Sequence, residues 1–116
     1  MNKRKFGIIG EKIAKGFLEN KGYKILETNF YTNRGEIDII MQMNNIIIFV
    51  EVKTRTNLTF GTPAMAVNYT KKKYIKSVAK IYLHLNKLYK YDVRFDIIEI
   101  LIIDGKCKIN HLEGIM

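Results

Sequence analysis

Two β-rich runs, Glu36–Met43 and Ile46–Thr54, are separated only by Asn44 and Asn45, and this arrangement restricts the fold more than any other feature of the chain. Asparagine tolerates positive φ, so a short Asn pair between such runs predicts a tight hairpin. In a two-residue turn Met43 pairs with Ile46. Counting back from it sets Asp38 opposite Glu51 and Glu36 opposite Lys53. A symmetric four-residue loop would give the same register, and an odd-length loop would break it. Residues two apart share a face, so Glu36, Asp38, Glu51 and Lys53 are expected together on one face, at the end away from the turn.

Ile37, Ile39 and Met41 are expected on the other face of the first run, with Ile46, Ile48, Val50 and Val52 matching them on the second. Ile40, Ile47 and Phe49 make the charged face apolar too, nearer the turn. Such strands read as central and covered on both sides, where two opposed carboxylates are costly. The two acids repel unless a proton or cation sits between them, and Mg²⁺ or Mn²⁺ suits an oxygen-rich site. Phosphodiester hydrolysis needs an activated water and compensation for charge growing on the phosphate, for which Lys53 is suitably placed. The plainer reading is a Glu36–Lys53 salt bridge, with Asp38 and Glu51 in solvent.

The remaining pattern places these strands in a mixed sheet. Phe6 to about Gly22 reads as a helix with Phe6, Ile9, Ile13 and Phe17 on one face, and Tyr23–Phe30 as an edge strand. Asn57–Pro63 reads as a loop. Tyr74, Ile75, Val78, Ile81, Tyr82, Leu85 and Leu88 give a second helix over roughly Thr70–Tyr89. Val93–Ile103 and Lys106–Leu112 are strands flanking an Asp104-Gly105 turn. The order α-β-β-β-α-β-β predicts an α/β (α+β) fold, helices on a mixed sheet, in one domain spanning residues 1–116.

The formal net charge of +9 is concentrated. Between Val52 and Tyr91 lie Lys53, Arg55, Lys71, Lys72, Lys73, Lys76, Lys80, Lys87 and Lys90, with no acid among them. Elsewhere acids and bases balance. A localised positive surface is the footprint of a polyanion-binding protein, although a solvated lysine face looks the same in sequence. A single cysteine, Cys107, allows no intrachain disulfide. No apolar run is long enough to cross a bilayer and no signal-peptide core follows the basic start, so a cytoplasmic protein without membrane attachment is expected.

An Asp on one strand with Glu-x-Lys on the next resembles the PD-(D/E)XK nuclease superfamily, here as Asp38 and Glu51-Val52-Lys53. Arg34-Gly35-Glu36-Ile37-Asp38 and Phe49-Val50-Glu51-Val52-Lys53-Thr54-Arg55 more narrowly resemble the YraN family of small bacterial proteins. Gly10-Glu11, Phe60-Gly61, Pro63 and Arg94-Phe95-Asp96 extend the resemblance over nearly the whole chain. It implies a restriction-endonuclease-like α-β-β-β-α-β core with an extra C-terminal strand. It also implies a metal bound by Asp38, Glu51 and the Val52 carbonyl, with Lys53 catalytic. The architecture is similar to archaeal Holliday-junction resolvases, in which a first-helix glutamate, here Glu11, joins the catalytic site. Glu36 would then support the metal ligands. The family pattern has an arginine where this chain has Tyr31, and nearby Arg34 offers the positive charge instead.

The expectation is a Mg²⁺- or Mn²⁺-dependent endonuclease acting on DNA, branched or otherwise structured, in repair or recombination. Arg34, Arg55, Lys71, Lys72, Lys73, Lys76 and Lys80 would contact phosphates, and a homodimer is left open. The competing readings are a non-catalytic nucleic-acid-binding module and an interaction subunit that retain the fold. His84 and His111 lack metal-ligand spacing and read as surface residues. Cys107, alternating with two lysines, reads as core-facing, and Tyr74 and Tyr82 read as core.

Overall fold

The computed structural model describes residues 3–56 and 69–115. It contains α1 (Lys3–Asn20), β1 (Lys24–Thr32), β2 (Gly35–Met43), β3 (Ile46–Arg55), α2 (Tyr69–Leu85), β4 (Asp92–Ile103) and β5 (Lys106–Leu112). The expected loop at 57–63, including the Phe60-Gly61 and Pro63 positions, lies outside these residues, as does the side chain of Lys71. The element order matches the sequence pattern. The strands form one sheet in chain order, antiparallel except for parallel β3 and β4, which α2 separates in sequence. No helix among the described residues is long and apolar enough to cross a membrane.

Each helix covers a different apolar face. Ala14 and Leu18 of α1 pack in a core with Ile39, Met41, Ile48, Val50, Ile98 and Ile100. Ile75, Val78, Ala79 and Tyr82 of α2 pack with Ile37, Ile40, Ile47, Phe49 and Ile97. The expected stripes hold in part: Ile13 and Phe17 pack against the first core, and Ile75, Val78 and Tyr82 lie in the second. The stripe of α1 is centred on small Gly10 and Ala14 with Leu18, while Ile9 is partly exposed. That of α2 follows 75-78-79-82, which leaves Tyr74, one position off, 54% exposed.

The helix ends explain the boundary differences. At the end of α1, Gly22 has φ 97°, Gly22 N donates to Glu19 O (3.0 Å) and Tyr23 N to Leu18 O (3.1 Å). This is a Schellman stop, with buried Tyr23 packing in the same core as Leu18. The same device ends α2 at Leu85: Lys87 has φ 54°, and Leu88 N donates to Leu83 O at 2.9 Å. Leu88 packs back against the core from beyond the helix, so its apolar spacing continued the helical pattern after the helix had stopped.

Buried Asp96 ties the end of the chain to the sheet. It accepts two hydrogen bonds from Arg94 (2.9 Å each), one from Gly114 N (2.9 Å), and pairs with His111 Nε2 at 2.7 Å. Burial alone would raise the Asp96 pKa, but the His111 and Arg94 contacts and the Gly114 N–H outweigh it and hold it below the usual range. The His111 side chain is therefore enclosed, against the surface placement its sequence suggested. Cys107 is corrected the other way. The whole Lys106–Lys108 end of β5 is exposed, so alternation there has no buried side.

Candidate metal centre

The hairpin register is the expected one from Met43↔Ile46 to Ile39↔Val50. Beyond it the sheet forks: β2 stays with β1 as far as Gly35, and β3 stays with β4 as far as Arg55. Asp38 sits at the fork. Its Oδ2 accepts the N–H of Val52 at 2.7 Å, a side chain taking a backbone group where the strands part.

Alternation along β2 slips at the same point. Ile37 and Ile40 both face α2, whereas Ile39 and Met41 face α1. Glu36 and Asp38 are thereby turned towards α1, where Glu11 meets them. One carboxylate oxygen from each of Glu11, Glu36 and Asp38 lies within 4.8 Å of the others. By alternation along β3, regular to Arg55, Glu51 and Lys53 continue the Ile47-Phe49 side towards α2, and Lys53 Nζ lies 3.3 Å from Glu51 Oε1. The shared face expected for the four hairpin charges is thus corrected. Glu36 and Asp38 gather with Glu11 on one side of the fork, and Glu51 with Lys53 on the other.

The two groups are nonetheless in electrostatic contact through the fork. Burial, then the Glu51 charge, pushes the Asp38 pKa up to about 8, against the opposing effect of the Val52 N–H. Glu11 is raised as well, by burial and the Glu36 charge, with a smaller contribution from Glu51. Burial and neighbouring carboxylates thus favour a proton on Asp38 and on Glu11.

Glu11 reaches this group because α1 comes down onto β3. A Cβ added at buried Gly10 would run into the Thr54 hydroxyl. Glycine there permits the close approach and puts the next residue over the fork.

Of the other expected residues, Val52 supplies its N–H to Asp38. Arg55 lies 3.6 Å from Glu99 Oε2. Lys73, Lys76 and Lys80 are exposed on α2 and Lys72 is half-buried, while Arg34 is exposed in the β1–β2 turn. Sequence reasoning missed two residues. Asn29 lies beside the acidic group, as described below. Glu99 is only 2% exposed, takes a hydrogen bond from Asn110 (3.1 Å), and stands in register with Lys53. Only its position inside the apolar run Val93–Ile103 could have marked it.

Carboxylate oxygens gathered this closely, one of them with a strongly raised pKa, could hold a metal ion. Residues 10–100 match the model of the family described as Uncharacterised protein family UPF0102. That span includes every residue string quoted for the YraN resemblance. The chain is 52% identical over 116 residues to a UPF0102 protein of Alkaliphilus oremlandii, covering 98% of each chain. A UPF0102 protein of Caldanaerobacter subterraneus is 46% identical over 115 residues, covering 97% of this chain and 94% of the relative. One of Clostridioides difficile is 46% identical over 112 residues, covering 97% and 96%. This chain belongs to the UPF0102 family.

Proposed function

We propose that the chain is a Mg²⁺- or Mn²⁺-dependent nuclease of the restriction-endonuclease-like kind that hydrolyses phosphodiester bonds in DNA. The observation that carries this reading is the Asp38 carboxylate, held by Val52 N–H at the β2–β3 fork with Glu11, Glu36 and Glu51 around it. A purely structural acid does not need three like charges for company. Glu11, Glu36 and Asp38, whose oxygens converge, would hold the cation, with Glu51 facing them across the fork and the Val52 carbonyl a further ligand by resemblance. When bound, the cation would polarise a phosphate oxygen and make water a better nucleophile. Lys53, kept beside Glu51, would offset charge growing on the phosphate.

The exposed α2 lysines, with Arg34 and Arg55, would hold the DNA backbone without reading bases. Such a protein would work in the cytoplasm, on branched or structured DNA among other forms. The test is cleavage of linear, nicked, flapped and four-way-junction DNA with Mg²⁺ or Mn²⁺. Wild type should cut at least one form. Glu51→Ala and Lys53→Ala should lose cutting while keeping most affinity, because their roles lie in the transition state. Cutting by Glu51→Ala at the wild-type rate would refute the site; DNA binding without cutting by wild type would favour the non-catalytic module.

A further inference from the structure

We propose that Asn29 is a positioning residue for the metal centre, clamping Glu11 to Glu36 so that their oxygens stand where a divalent cation needs them. The proposal rests on the metal-centre reading above. Asn29 is in the middle of β1, yet its φ is 52°, a left-handed conformation that strands do not use. It lies between Thr28, which pairs with Ile39, and Phe30, which pairs with Ile37, and so stands level with Asp38. Strand alternation on β2 slips at Asp38, and the left-handed residue sits directly across from that slip. Two neighbouring strands thus depart from regular geometry at one level, and that level is the acidic group.

The side chain supplies the reason. The amide end facing the acids lies 3.1 Å from Glu11 Oε2 and 2.9 Å from Glu36 Oε1. The two ends of an asparagine amide have the same shape, so hydrogen-bond chemistry decides which is which. An oxygen there would confront two carboxylate oxygens, whereas the NH₂ group donates one hydrogen to each. Asn29 therefore spans α1 and β2 with two charge-assisted bonds, holding together two acids that would otherwise repel.

Residue choice at this position follows. Glycine would adopt the backbone conformation as readily but carries no amide. Aspartate tolerates it but would add another negative charge. Asparagine meets both requirements, and a donor to metal-ligating carboxylates is the kind of partner whose loss weakens metal binding without removing a ligand.

The experiment is Mn²⁺ titration by calorimetry on wild type, Asn29→Gly, Glu36→Gln and the double variant, with Asp38→Ala as control. Melting curves without metal check the fold. Asn29→Gly keeps the backbone conformation, so it should melt within a few degrees of wild type yet bind Mn²⁺ about ten- to a hundredfold more weakly. Because Asn29 acts through Glu36, its substitution in the Glu36→Gln background should have a clearly smaller effect. Wild-type affinity in Asn29→Gly, or full additivity with Glu36→Gln, overturns the positioning role while leaving the metal centre standing. If wild type binds Mn²⁺ no better than Asp38→Ala, the metal-centre reading falls and the positioning role falls with it.

Discussion

Replacing Asp38 by asparagine should make the metal-free protein more stable at mildly alkaline pH. The folded-state pKa of Asp38 is raised from an ordinary 3.8 to about 8, chiefly by burial and the Glu51 charge. Between those values the unfolded chain has released this proton while the folded chain holds it. The folded state therefore binds more protons, and stability falls as pH rises from about 4 to about 8. Each pH unit is worth about 1.4 kcal/mol, so the loss across the window reaches up to roughly 6 kcal/mol. The substituted amide cannot ionise, and its carbonyl can still accept the Val52 N–H. Thermal and urea unfolding in EDTA from pH 4.5 to 8.5 should show the two proteins close at the acid end. At pH 8.5 the Asp38→Asn variant should be ahead by about 3–5 kcal/mol, or on the order of 10 °C or more. Saturating Mg²⁺ or Mn²⁺ should reverse part of the difference, since a cation at a hundred times its Kd stabilises wild type by about 2.7 kcal/mol. A wild-type stability curve that stays flat from pH 5 to 8.5 in EDTA would refute the reasoning, as would an Asp38→Asn variant no more stable at pH 8.5.

Three further outcomes are expected. Gly10→Ala should destabilise the fold by about 1–3 kcal/mol through the clash with Thr54, and adding Thr54→Ala, which removes the hydroxyl but keeps the Cβ, should recover part of it in urea melts. Asp96→Asn should cost about 3–5 kcal/mol at pH 7 by leaving Arg94 without its buried counter-charge. Because the Asp96 pKa is lowered, wild type should lose this contribution as pH falls below about 4, so the gap should narrow in acid unfolding. Lys73, Lys76 and Lys80 all changed to Gln should flatten the salt dependence of DNA binding by roughly 2–3 units of log–log slope in shift assays. An unchanged slope would remove the α2 lysines from the DNA surface.

Element order was legible because its signals are local: the Asn44-Asn45 turn, period-2 runs and a 3.6-period stripe each reside within a few residues. The register followed from the turn as far as Ile39 opposite Val50. Which face each acid takes was not legible, since it depends on the fork between β2 and β3 and on a left-handed residue one strand away. Alternation assumes regular strands, and this sheet is irregular where the acids are. Glu11 came from resemblance; its own helix position shows only an acid beside an apolar stripe. Asn29 and Glu99 escaped because their partners, Glu11 and Glu36 for one and Arg55 and Asn110 for the other, come from separate elements. His111 was misread for the same reason.

The irregularity of β1 has a consequence for self-association. β1 is one border of the sheet, and a long regular border strand offers its unpaired backbone groups to any other extended chain. Here the pairing with β2 shifts between Ile25 and Glu27, and Asn29 turns left-handed two residues later. A strand interrupted twice in that distance is a poor template for cross-molecule β-pairing. The backbone geometry that aims an amide at the acids thus also protects this border from aggregation, leaving the short, lysine-bearing β5 as the more regular of the two borders.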